Sequence, residues 1–227
     1  MTDHTLREDI RNDLRDLFTG ERTIGDSFPA PLVFVAVNAV AGLGWAAAAA
    51  LVVGLAVALW RIRKGQQVVY AMGGIVAIGF TAFLALRSGR AESYFLPGIL
   101  SAAGAAIGTI ISIAVRRPLA SWTSRFMRSW PLEWYWRDDV RPAYAGVSWI
   151  WAAFFAGRAA VQWVLFLNEE PELLAIAKVL TSWPTIIPLL IVSYVYGNRK
   201  LHRLGGPNVD EFLAGAEPPY EGMQRGF

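Results

Sequence analysis

The stretch 31–60, PLVFVAVNAVAGLGWAAAAALVVGLAVALW, runs for thirty residues without a charge. One upright crossing of a bilayer core takes about 20 helical residues, and two take about 40. The stretch fits neither count, yet its reading decides on which side every later loop lies. As one helix it would be about 45 Å long against a core of about 30 Å, and would cross tilted. As a broken one it would give way within 38–44, NAVAGLG, where an asparagine and two glycines weaken a helix.

Charge separates the readings. Suppose 31–60 crosses once from the cytoplasm. The basic turn 61–64, the six-arginine loop 116–141 and the C-terminal tail then lie outside, and the acidic NEEPE turn at 168–172 lies inside. Suppose instead that it enters and returns. Seventeen lysines and arginines then lie inside against two in the outer loops, while Arg158 and Lys178 sit within apolar blocks. Short basic loops stay cytoplasmic, so a helical hairpin is expected, with both termini inside. A single pass with the N-terminus outside ranks second, since it exports a tail with four arginines and seven acids. A hairpin also needs its loosened backbone buried in protein or facing water. That would make Asn38 and the nearby glycines part of an interior cavity.

The rest of the 227-residue chain follows the same pattern, at 55% hydrophobic and 17% charged residues. Further apolar blocks at 67–86, 94–115, 147–167 and 173–197 join the hairpin halves 31–41 and 44–60. The expected fold is an all-α polytopic membrane bundle of about six embedded helices, the first two short. A cytoplasmic N-terminal region, 1–28, precedes the transmembrane domain 29–203 with its inner loop 116–146, and a flexible cytoplasmic tail, 204–227, follows. No basic segment leads into a short apolar core and cleavage site, so no cleaved signal peptide is expected. Within 5–19, Thr5 and Glu8 form a capping box, and Leu6, Ile10, Leu14, Leu17 and Phe18 recur at helical spacing, which predicts an amphipathic helix. Pro184 and Pro188 should kink the last block.

The side chains offer little for catalysis. Cysteine is absent and the two histidines, His4 and His202, lie in polar tails, so neither a metal site nor a cofactor is expected. No block interior holds paired carboxylates, and Asp138 with Asp139 reads as a solvated loop end, so the chain is expected not to be an enzyme. The costly residue is Arg158, since a central arginine costs about 2.5–3.5 kcal/mol in a translocon-inserted helix. Gln162 lies one turn on. The expected partners are the 38–44 carbonyls with Asn38, Glu92 at the outer end of its block, or a bound anion. Arg158, Gln162, Asn38 and Glu92 are therefore the candidate intramembrane polar site, either structural or lining a solute or ion path.

Two further patterns remain. The inner loop interleaves arginines with aromatics. Trp122, Arg125, Arg128, Trp130, Trp134 and Trp136 are expected at the membrane interface, against anionic headgroups of the inner leaflet, rather than on nucleic acid. Small residues recur at every fourth position as Gly104, Gly108 and Ser112, and as Ala46, Ala50, Gly54 and Ala58. Such stripes let helices approach closely, within the subunit or in a homo-oligomer.

With these segments assigned, SGRAESYFLPGIL at 88–100, RRPL at 116–119, and a last block with WP and then YVYGNRK resemble the actinobacterial membrane family called domain of unknown function 3159. The early PLV, the basic-basic-Pro-Leu at 116–119 and SWIWAAFFAGRAAVQWVLF at 148–166 more distantly resemble the intracellular septation protein A family. The Trp-rich segment near 120–141 and the charged N-terminus depart from both. The resemblance implies a bacterial plasma-membrane protein without known catalysis, tied to envelope maintenance and cell division through membrane-protein partners. The leading expectation is thus a non-enzymatic organiser. A small-solute or ion transporter around Arg158 and an accessory subunit of a larger complex are the alternatives.

Overall fold

A computed structural model describes residues 29–65 and 68–220, apart from the side chains of residue 29 and residues 69–71. The amphipathic helix expected within 5–19 lies outside the described residues. Every regular element among them is helical, as an all-α membrane protein requires. Leu43–Arg63, Ala91–Ala114, Arg141–Leu167 and Pro171–Leu204 are long and apolar enough to cross a membrane. The chain divides into two compact units, residues 1–94 and 95–227.

In the first unit, α1 (Pro29–Ala41) and α2 (Leu43–Arg63) are parted by a single residue, Gly42. Its φ of 84° and ψ of 173° lie where only glycine is comfortable. The chain turns back there, and α1 packs along α2. The opening stretch is therefore broken, but its halves are unequal. The 13 residues of α1 rise about 20 Å, whereas the 21 of α2 suffice for a crossing. The second half was expected to be short; α2 instead runs through Arg61 to Arg63, because long basic side chains at a helix end reach water while the backbone continues. Its stripe Ala46, Ala50, Gly54 and Ala58 is buried, and α2 packs against both α1 and α3 (Val68–Ser88). A methyl group on Gly54 would lie 2.6 Å from Ile78 Cδ1, so the stripe brings the two backbones close. Phe34 of α1 is fully buried and stacks on Tyr94, with centroids 4.2 Å apart.

In the second unit, α4 (Leu96–Ala114) packs along α7 (Arg141–Leu167). Its buried face is Ile99, Ala102, Ala106 and Thr109. Gly104 and Gly108 do not serve packing here: an added methyl group at either would meet nothing within 4 Å. Ser112 acts through its hydroxyl, which accepts from the Leu119 amide at 3.0 Å. Alanines on the adjacent face allow a close approach just as well.

Three expectations about the polar segments are revised. The inner loop is mostly helical, with α5 (Leu119–Arg128) and α6 (Leu132–Tyr135), and α7 starts at Arg141 rather than near 147, with Pro142 in its first turn. The last block is two helices rather than one kinked helix: α8 (Pro171–Leu180) and α9 (Trp183–Leu204). Pro184 lies in the first turn of α9 and Pro188 inside it. The tail is folded through residue 213. Gly205, at φ 63°, ends α9, and α10 (Val209–Leu213) begins at a capping box between Asn208 and Glu211.

Candidate functional site

The break between α8 and α9 is built from hydroxyls. Pro184 has no N–H for the Leu180 carbonyl, and Thr185 Oγ1 donates to that carbonyl instead, at 2.6 Å. Ser182 Oγ donates to the Val179 carbonyl and Thr181 Oγ1 to that of Ala177, each at 2.6 Å. Three of the last four carbonyls of α8 thus accept from the next three polar side chains of the chain.

Arg158 and Gln162 of α7 converge on this break. Arg158 Nη1 donates to the Thr181 carbonyl and Gln162 Nε2 to Thr181 Oγ1, both at 3.4 Å, the long end of hydrogen bonding. Gln162 is buried, and Arg158 Nε is buried with no hydrogen-bond partner among the described residues. Lys178, one turn before Thr181 and hence on its face, lies within electrostatic reach of Arg158. Its Nζ sits 5.6 Å from the centre of the Phe95 ring, level with the start of α4. Both cations gain from the negative end of the α8 dipole.

The expected partner for Arg158 was the 38–44 segment or Glu92; the second unit itself supplies one, Thr181. Glu92, 5% exposed, accepts from Arg90 Nε at 2.6 Å. Asn38 accepts the Gly42 amide through its carbonyl, at 3.2 Å, and so belongs to the α1–α2 turn. Both residues are in the first unit. Lys178 was not among the expected site residues, although with Arg158 it was one of only two bases inside apolar blocks.

A second assembly stands beyond the apolar spans. Trp134, Tyr135 and Tyr144 are fully buried in a cluster with Val140, Ala143 and Leu201. Trp134 and Tyr135 meet edge to face at 4.9 Å, as do Tyr135 and Tyr144 at 5.0 Å. Burial pushes the Tyr135 hydroxyl above its ordinary pKa, against the opposing pull of its hydrogen bond with Ser124. Trp134 Nε1 donates to the Pro207 carbonyl, which ties the tail onto the cluster. Asp139 takes a two-pronged bond from Arg137, at 2.9 and 2.8 Å, while Asp138, which accepts from Arg141 at 2.6 Å, stays exposed to solvent. Donating to Asp139 raises the pKa of Arg137 further.

This cluster is fastened to the spans. The Leu119 and Ala120 amides at the start of α5 donate to Ser112 of α4 and Ser148 of α7, at 3.0 and 3.1 Å. The aromatic residues expected at the interface therefore divide. Trp122 and Arg128 are exposed, and Arg128 lies 4.8 Å over the Trp130 ring. Arg125 is half-buried and donates to the Trp130 carbonyl, and half-buried Trp136 is covered by Arg117 at 3.2 Å. Trp134 is corrected outright: it is a core residue, 0% exposed, because the tail returns to cover it. Phe126 and Met127, 91% and 84% exposed, are the most exposed of the large apolar residues of α5. Among the described residues no group of three or more His, Asp and Glu side chains could hold a metal ion.

The family model described as Protein of unknown function (DUF3159) matches residues 18–204, most of the chain, and the chain belongs to that family. No curated protein and no solved structure matches it.

Proposed function

Proceeding from that membership, we propose that this chain is a multi-pass protein of the bacterial plasma membrane, non-catalytic, with both termini in the cytoplasm. In this reading it organises membrane-protein partners, or a second copy of itself, at the inner leaflet during envelope maintenance and division. The observation that carries it is the α5–α6–tail assembly. A structure folded from three distant segments and bonded to two spans is a rigid platform, and it leaves Phe126 and Met127 uncovered beside exposed Arg116, Arg117 and Arg128. The seventeen-to-two distribution of basic residues supports its cytoplasmic side, and those arginines suit anionic headgroups. The lack of paired carboxylates or histidines within the apolar blocks supports a non-catalytic role.

The test is a pair of variants, Phe126→Glu and Met127→Glu. Both side chains are exposed, so the purified variants should melt within about 2 °C of the parent. Neither should rescue the division or envelope defect of a deletion strain. Full rescue, or a deletion without such a defect, overturns the organiser role. A second reading, a solute or ion path, is favoured by the convergence of Arg158 and Gln162 on the α8–α9 break.

A further inference from the structure

The faces of α5 are reversed for a helix in water. It packs on α7, and its inward side is small and polar: Ser121 is fully buried, and Ser124 shares a hydrogen bond with Tyr135 Oη at 3.0 Å. Its outward side is apolar. At about 100° per residue, Leu119, Trp122 and Phe126 fall within about 60° of one another, with Met127 at the edge, and all four are exposed. Thr123, on the same arc, turns its hydroxyl onto the Ala120 carbonyl at 2.9 Å. A helix facing water carries the opposite pattern. Position limits what can cover the arc. The Leu119 amide is bonded to Ser112, two residues short of the end of α4, and the Ala120 amide to Ser148, so α5 starts level with the end of the spans. From Leu119 to Phe126 the helix rises about 10 Å, and a headgroup layer is about 5–8 Å deep, so most of the arc lies at headgroup level whatever its tilt.

Charge and area narrow the choice further. No acid occurs between Glu92 and Glu133, an interval that holds Arg116, Arg117, Arg125 and Arg128. Arg116 and Arg128 are exposed, one just before α5 and one at its last residue. Such a surface complements an anion. A stable protein interface takes about 800 Å² from each side, and one face of a helix about 15 Å long and 10 Å wide supplies only a fraction of that. We propose that the outer arc of α5 lies in the headgroup layer of an anionic leaflet. Leu119, Trp122 and Phe126 meet the acyl boundary there, and Arg116 and Arg128 meet lipid phosphates. This deepens the platform reading and rests on it: α5 is what holds the platform against the inner leaflet, where its partners gather.

The chain has no cysteine, so a fluorophore can be placed singly, at Phe126→Cys on the arc or at Glu217→Cys on the exposed tail as control. The full-length protein is set at one copy per phosphatidylcholine nanodisc, which excludes a second copy. A small matched fraction of the lipid is brominated phosphatidylglycerol in one arm and brominated phosphatidylcholine in the other. Both lipids should quench the label at 126, the phosphatidylglycerol about twofold or more strongly, and neither should quench the label at 217. Arg116→Gln with Arg128→Gln, both at exposed positions, should bring the two lipids to equal quenching. If neither lipid quenches the label at 126, the arc lies in water or against protein and the proposal falls. Equal quenching in the parent overturns the anionic leaflet, and a preference that survives both arginine changes overturns their assignment. The organiser role is scored apart from this. Full rescue by Phe126→Glu ends that role and leaves the quenching as it is, whereas absent quenching leaves the deletion phenotype as it is.

Discussion

The indole N–H of Trp134 donates to the carbonyl oxygen of Pro207 at 3.0 Å, across 73 residues of chain. Both groups are buried, and with Val209 and Phe212 packed on the cluster this bond ties the tail to the fold. Trp134→Phe keeps most of the ring but orphans the carbonyl, a loss of about 1–3 kcal/mol. Trp134→Ala also opens a cavity and should cost about 3–5 kcal/mol. Melting in detergent should rank the two in that order, and proteolysis should cut near 205–220 sooner in each. Equal melting of both with the parent would remove Trp134 from the core.

Gly42 and Gly44 make a matched pair. Alanine at Gly42 must adopt φ near 84°, which costs about 1–3 kcal/mol, and Tm should fall. Gly44 is helical with nothing within 4 Å of a new methyl group, so alanine there should hold or raise Tm by removing freedom from the unfolded chain. A continuous helix through 38–45 would reverse the ranking, because alanine would then help at both positions.

Sidedness can be read with an impermeant thiol reagent, since the chain has no native cysteine. Ser124→Cys in α5 and Glu170→Cys between α7 and α8 should label from opposite faces of the membrane. Labelling of both from one face would sink the proposed orientation.

Gly54 and Gly104 should answer differently to added bulk. Leucine at Gly54 drives α2 off Ile78, and overpacking of this kind costs about 1–3 kcal/mol. Gly104→Ala and Gly108→Ala should leave the monomer's melting unchanged. Destabilisation by either would show that the α4 stripe packs within the subunit after all.

How far the sequence could be read follows from the range of each signal. The break in 31–60 was visible because charge on distant loops constrains the path of the whole chain, and two glycines mark where it yields. Its position, Gly42, depends on backbone angles that composition does not report. The α4 stripe shows the limit of periodicity: Gly104, Gly108 and Ser112 repeat at helical spacing, but so do Ala102, Ala106 and Thr109, and only packing chooses between them. Trp134 looks interfacial beside its neighbours because the segment that buries it, 205–213, is far away in sequence. Lys178 is legible as a base inside an apolar block, but its proximity to Arg158 depends on the break at Thr181, which turns one helix into two.

That break has a mechanical side. The Ala177, Val179 and Leu180 carbonyls are each attended by a hydroxyl from the same few residues, and Arg158 and Gln162 reach the joint only through long bonds. The angle between the two halves can therefore change without a polar group having to seek water. Along the 34 residues from Pro171 to Leu204, bending is least costly at 181–182. A tilt imposed at the 168–170 turn would be taken up there first, since the far end of α9 is fastened to the aromatic assembly through Leu201.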